Sequence, residues 1–124
     1  MRFARSLVAL GSLILFATAL LHGSGYATLS GKMENSNVAP FLVSAFKAVW
    51  LMISAHLIVL SAVLVTASRT PIGKPVVLLG ALIPALDTML LLHFFGAFIG
   101  VYSLAVATLC LLVGGFGLPQ GEKA

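Results

Sequence analysis

The sequence predicts an all-α integral membrane protein: a bundle of four transmembrane helices with a short hairpin between the third and the fourth. Three observations carry that expectation. The 124 residues are 60% hydrophobic and only 8% charged, against about 25% charged in a typical water-soluble domain. Too few polar groups remain to cover a surface in water, so a lipid bilayer has to act as the solvent. The apolar residues also gather into four stretches, each near the roughly 20 residues that a helix needs to cross the hydrocarbon layer. The charged and turn-forming residues lie mostly between those stretches.

Arg2 and Arg5 introduce the first stretch, which runs uncharged from Leu7 to Leu21 and stops at His22 before the glycines Gly23 and Gly25. A helix over about residues 5–22 follows from this pattern. A basic start, an apolar run and small residues such as Gly25 and Ala27 also have the layout of a signal peptide. We read the segment as a retained helix. Residues 23–40 are expected to form an outer loop, because Tyr26 to Pro40 is the one long polar segment, with Asn35, Ser36 and Asn37 beside Lys32 and Glu34.

The second helix is expected over about residues 41–67. That is long for a span and implies tilt, or a turn that emerges from the bilayer, with Lys47 reaching the headgroups along its flexible stem and Trp50 in the same outer zone. Arg69, Pro71, Lys74 and Pro75 then make a short basic turn. The third helix occupies about residues 76–95 and carries Pro84 near its middle, which should bend it and release the carbonyl of Gly80. His93 to Gly96 leave almost no room for a connection, so the chain breaks near Gly96 and the fourth helix runs over about residues 97–116. A polar tail, Gly117 to Ala124, completes a single transmembrane domain over residues 1–124.

Orientation follows from the basic residues. Arg2, Arg5, Arg69, Lys74 and Lys123 fall on one side, and Lys32 and Lys47 on the other. The excess marks the cytoplasmic side, so both termini are expected there, in a membrane of the bacterial cytoplasmic (inner) type. The net charge of +4 is spread over span ends and is not a nucleic-acid patch. Cys110, the sole cysteine, excludes an internal disulfide and paired-thiol chemistry. There is no Gly-x-Ser-x-Gly elbow, no His-Glu-x-x-His and no phosphate-cradling glycine loop. No catalytic centre is predicted.

Two features remain as candidate sites. The fourth helix carries Gly96, Gly100, Ser103, Ala107, Cys110 and Gly114 at steps of four and three, a stripe of small residues suited to close helix packing, with Gly96 and Gly100 as a GxxxG element. A weaker stripe on the second helix comprises Ser54 and Ser61, backed by Ala48, Ala55 and Ala62. The other feature is polar. Counted from the cytoplasmic ends at 1.5 Å per residue, His56 and Asp87 both lie about 17 Å deep, and His22 and His93 about 26 Å deep. A charge at mid-membrane costs about 3 kcal/mol, so Asp87 should face inward, and a hydrogen bond to His56 is the expected partner. His22 and His93 form a second, outer layer that Tyr102 can reach. Two imidazoles at one depth are also the arrangement that ligates a haem iron or a metal.

These features support three readings of function. The leading one is a non-catalytic membrane subunit or scaffold that associates with itself or with another membrane protein through helix packing. The second is a redox or proton-handling module holding haem, a metal or a quinone between helices through histidines. The third is a carrier of a small molecule or of protons that uses Asp87.

Overall fold

The computed structural model describes residues 2–120. Met1 and the end of the tail, including Lys123, lie outside the described residues. Five helices follow in order: α1 (Arg2–Ser24), α2 (Tyr26–Glu34), α3 (Pro40–Ala67), α4 (Gly73–Phe95) and α5 (Ile99–Phe116). Four helical runs are long and apolar enough to cross a bilayer: α1 continued by α2, then α3, α4 and α5.

The largest departure from expectation is α2. The segment expected as a loop is helical over nine residues, and only Gly25 separates it from α1. Gly25 itself has φ −74° and ψ −12°, inside the right-handed helical region, so the glycine lowers local helix stability without breaking the path of the chain. Tyr26, Leu29, Ser30 and Met33 are half-buried at helical spacing. That face lies along α3, where an ion pair between Lys47 and Glu34 fastens it. The polar composition that suggested a loop is the exposed side of an amphipathic turn of helix.

Boundaries elsewhere follow local chemistry. Pro40 sits in the first turn of α3, where its missing N–H would have had no intrahelical partner. Pro75 falls within the first turn of α4, so it is tolerated there and the helix starts at Gly73, earlier than the proline alone suggested. α4 ends at Gly96, which has φ 76° and ψ −167°, a conformation essentially restricted to glycine. Gly96 is therefore the hinge of the α4–α5 hairpin and not part of a helical GxxxG element.

Packing order differs from chain order. α1 is the centre of the bundle: it packs on α5 along one side and on α3 along the other, α4 packs on α5, and the consecutive helices α3 and α4 share only a thin contact. Val8, Leu15, Leu64, Val77 and Leu111 are fully buried at the heart of this arrangement. They gather toward the end of the bundle that bears Arg2 and Arg69. The opposite end, near Trp50 and Phe95, is looser, and that asymmetry positions the site.

The α1–α5 seam explains the small residues of α5. A Cβ built on Gly114 would lie 2.9 Å from the Ala4 carbonyl oxygen and from the Val8 nitrogen, and one built on Gly11 would lie 2.9 Å from Leu111 Cγ and 3.0 Å from the Ala107 carbonyl oxygen. The two backbones touch where glycine permits it. Thr18 and Ser103 add a polar contact at 3.1 Å across the same seam. The stripe from Ser103 through Ala107 and Cys110 to Gly114 is thus occupied by α1 of the same chain. Gly100 belongs to a different environment, under the ring of Phe98. On α3, Ser54 and Ser61 are buried while Ala48, Ala55 and Ala62 are exposed, so only the serines belong to its packed face.

Candidate functional site

α4 approaches α3 closely at Gly80, where an added Cβ would meet Leu64 at 2.5 Å and Leu60 at 3.5 Å. One further contact spans the gap toward the looser end. His56 Nε2 and Asp87 Oδ2 are hydrogen-bonded at 3.2 Å, with side chains 34% and 30% exposed respectively. The bond is only partly shielded because the two helices do not close over it. Pro84, one turn before Asp87 on the same face, is fully buried, and its carbonyl accepts the hydroxyl of Thr88 at 2.6 Å.

Beyond Asp87 the bundle encloses a partly open cavity of about 700 Å³. Every helix contributes to its walls. Asp87 and Leu90 come from α4, His22 from α1, Trp50 and Ile53 from α3, and Leu29 from α2. The aromatic rings of Phe95 and Phe98 stand on the α4–α5 side. The walls are almost entirely apolar, with His22 and Asp87 as the two residues that bring ionisable groups to them. A cavity of this size falls within the roughly 300–1,000 Å³ range of small-molecule sites.

His22 is held in one orientation by three contacts. Its ring stacks on Trp50 with centroids 4.0 Å apart and planes 16° from parallel. Its Nδ1 is 2.9 Å from Ser54 Oγ. The indole N–H of Trp50 donates to the His22 carbonyl at 2.9 Å, a second bond on an oxygen that also accepts the Gly25 N–H at 3.2 Å. Ser54 is buried, and His22 Nδ1 is its only described side-chain partner; a hydroxyl donating to that nitrogen goes with the ring proton on Nε2, and a hydroxyl accepting from it with the proton on Nδ1.

The two expected layers are not 9 Å apart, as counting at about 1.5 Å per residue implied. His22 meets Ser54, and Asp87 meets His56. Ser54 and His56 are two residues apart on α3, a rise of about 3 Å. The count failed because it assumed that the helices end flush. Gly23 lies beside Ser54, and Gly25 beside Trp50, which carries the first turns of α1 past the end of α3. The His22–Ser54 and His56–Asp87 pairs therefore lie at neighbouring heights, on different sides of α3, because residues two apart on a helix do not share a face.

His93 and Tyr102 do not join it. His93 is exposed, and its ring meets Phe94 edge-on at 4.8 Å. Tyr102 is 59% exposed. Neither lines the cavity that His22 faces, so His22 and His93 do not offer converging nitrogens to one haem iron or metal. Among the described residues no cluster of three or more His, Cys, Asp or Glu has the spacing for a metal ion. Sequence reasoning had placed Trp50 only at an interface and Ser54 only in a packing stripe. The signal that connects them is their spacing of four on α3, which puts both on the face toward α1.

Comparisons with protein-family models, with curated proteins and with solved structures each return no match.

Proposed function

We propose that this protein is a multi-pass membrane protein that binds a small apolar molecule between its helices, in the cavity walled by His22, Trp50 and Asp87. The observation that carries the reading is that a hollow of about 700 Å³ reaches both His22 and Asp87, the one mid-helix carboxylate among the described residues. Ionisable residues inside membrane spans are costly and are retained mainly where they line a site or a pathway. This reading belongs with the redox, proton-handling and carrier expectations. The scaffold reading leaned on the small-residue stripe of α5, and α1 of the same chain covers that stripe from Ser103 to Gly114.

The protein contains one tryptophan, and it lies in the cavity wall. Trp50 fluorescence therefore reports occupancy. In detergent-purified protein, 2-bromonaphthalene should quench Trp50 saturably, and Leu90→Phe, which places a ring into the cavity, should weaken that quenching severalfold without lowering the unfolding midpoint. Quenching that rises linearly with probe, identical in wild type and Leu90→Phe, would refute the site.

The same proposal includes the bilayer and the orientation. Arg2, Arg5, Arg69 and Lys74 sit at the tightly packed end and Lys32 and Lys47 at the cavity end, which supports a cytoplasmic placement of both termini and an outward-facing cavity mouth. Reporter fusions at Asn37 and at Gln120 in a bacterial host should give opposite signals. The same signal at both positions would overturn the topology.

A further inference from the structure

Resting on that reading, we infer that the cavity takes a ligand of the quinol class: a flat apolar ring with a hydroxyl at one edge and a second oxygen across the ring. The inference follows from which polar atoms the walls leave unused. With the Ser54 hydroxyl donating to His22 Nδ1 across their 2.9 Å contact, the tautomer that satisfies this buried hydroxyl, His22 presents Nε2–H, a hydrogen-bond donor with no partner among the described residues. His56 occupies Asp87 Oδ2 at 3.2 Å, so Asp87 presents Oδ1, an acceptor with no partner among the described residues. Both residues line the same cavity, at heights that differ by about 3 Å along α3. The remaining polar side chain in the wall, Thr18, is already engaged with the Ile14 carbonyl at 2.8 Å and with Ser103.

The site is therefore one donor and one acceptor separated by apolar and aromatic walls. A ligand that satisfies both needs one donor and one acceptor of its own, held apart by an apolar body. A simple hydrocarbon satisfies neither. A lipophilic ammonium ion would use Asp87 and leave the N–H of His22 facing a like partial charge. A ring with a hydroxyl donating to Asp87 Oδ1 and an opposite oxygen accepting from His22 Nε2–H uses both, and Trp50, Phe95 and Phe98 supply aromatic surface for the ring. Trp50 keeps the His22 ring in place before the ligand arrives, so little side-chain freedom is lost on binding.

The test is displacement of bound 2-bromonaphthalene by two probes of the same shape. 4-Methoxy-1-naphthol carries one hydroxyl and one ether oxygen, and 1,4-dimethoxynaphthalene lacks the donor. The naphthol should displace the bromonaphthalene at a concentration about tenfold lower, because a site built around a hydroxyl discriminates strongly against its absence. Asp87→Asn should reduce that preference. Nitrogen-15 spectra of histidine-labelled protein should show His22 protonated on Nε2, independently of any variant. Equal displacement by the two probes in wild type would overturn the quinol assignment while leaving the cavity site standing, as would a His22 proton on Nδ1. Failure of 2-bromonaphthalene to bind at all would instead remove the site itself.

Discussion

Gly114→Ala tests the seam on which the whole arrangement depends. The new methyl would lie 2.9 Å from the Ala4 carbonyl oxygen, the Val8 nitrogen and Val8 Cγ2, whereas ordinary contact begins near 3.4 Å. Two of those three atoms are backbone and cannot rotate away, so α1 has to retreat by about half an ångström. A gap of about 0.5–1 Å forfeits a quarter to a half of the dispersion energy between facing atoms, and overpacking of this kind costs about 1–3 kcal/mol. The better helix propensity of alanine returns ~1 kcal/mol; with two rigid backbone atoms in the clash the cost falls in the upper part of its range, about 2–3 kcal/mol, which leaves a net loss of about 1–2 kcal/mol. Gly31→Ala is the control, since nothing lies within 4 Å of its added methyl; there the propensity gain should stand alone. Unfolding in mixed micelles with increasing SDS, followed by circular dichroism, measures both. Equal stability of Gly114→Ala and wild type would refute the seam. So would dissociation of an oligomer with no loss of helix stability, because that is the signature of a stripe packed between copies.

Three further outcomes follow from other contacts. Gly96→Ala meets no atom within 4 Å yet should destabilise by about 1–3 kcal/mol, because φ 76° and ψ −167° are open essentially to glycine alone; the same SDS titration checks it, and a neutral result would mean that the α4–α5 hairpin does not need this backbone. His56→Leu should be more damaging than the double change His56→Leu with Asp87→Leu, by about 1–3 kcal/mol, since the single change strands a carboxyl group. Additive single-variant effects in that cycle would show that the pair contributes nothing. Trp50→Phe keeps an aromatic ring beside His22 but removes the indole donor to its carbonyl, so a loss of about 0.5–1.5 kcal/mol is expected, together with hydrogen exchange that quickens at the α1–α2 junction and stays unchanged in α5.

What the sequence disclosed depended on how local the determining physics is. Apolar runs near bilayer length located the four helical runs long and apolar enough to cross a membrane, and Pro40 and Gly96 marked α3 and α4 termini because each acts on its own backbone. The nearness of His56 and Asp87 could be reasoned from counting along α3 and α4, since both counts start from the same turn, Ser68 to Ile72. The count from Arg5 had no such shared origin, and it misplaced His22 relative to Ser54. α2 was missed because a nine-residue amphipathic helix with Ser, Gly and Lys on its exposed face has the composition of a loop, and its support comes from α3. The stripe on α5 was visible as a stripe, but its partner was not: spacing shows which residues share a face and says nothing of what covers it.

The cavity was not legible, and the reason also accounts for its existence. In lipid, helices approach as closely as their side chains allow, because no hydrophobic force between them punishes a gap as water would. The α1–α5 seam closes on Gly11, Ala107 and Gly114, three residues with almost no side chain. α3 and α4 have one such point, Gly80 against Leu60 and Leu64. Toward the looser end α3 and α4 offer the branched side chains of Ile53, Leu57, Leu90 and Leu91 as cavity walls, with no glycine to let the backbones meet. His56 and Asp87 fall where the narrow part gives way to the wide part, and their hydrogen bond bridges the gap without closing it. Replacing this pair by two apolar residues would spare the bundle the cost of burying polar groups. Packing alone therefore does not explain the pair, whereas a polar ligand edge that needs an acceptor at the floor of an apolar cavity does.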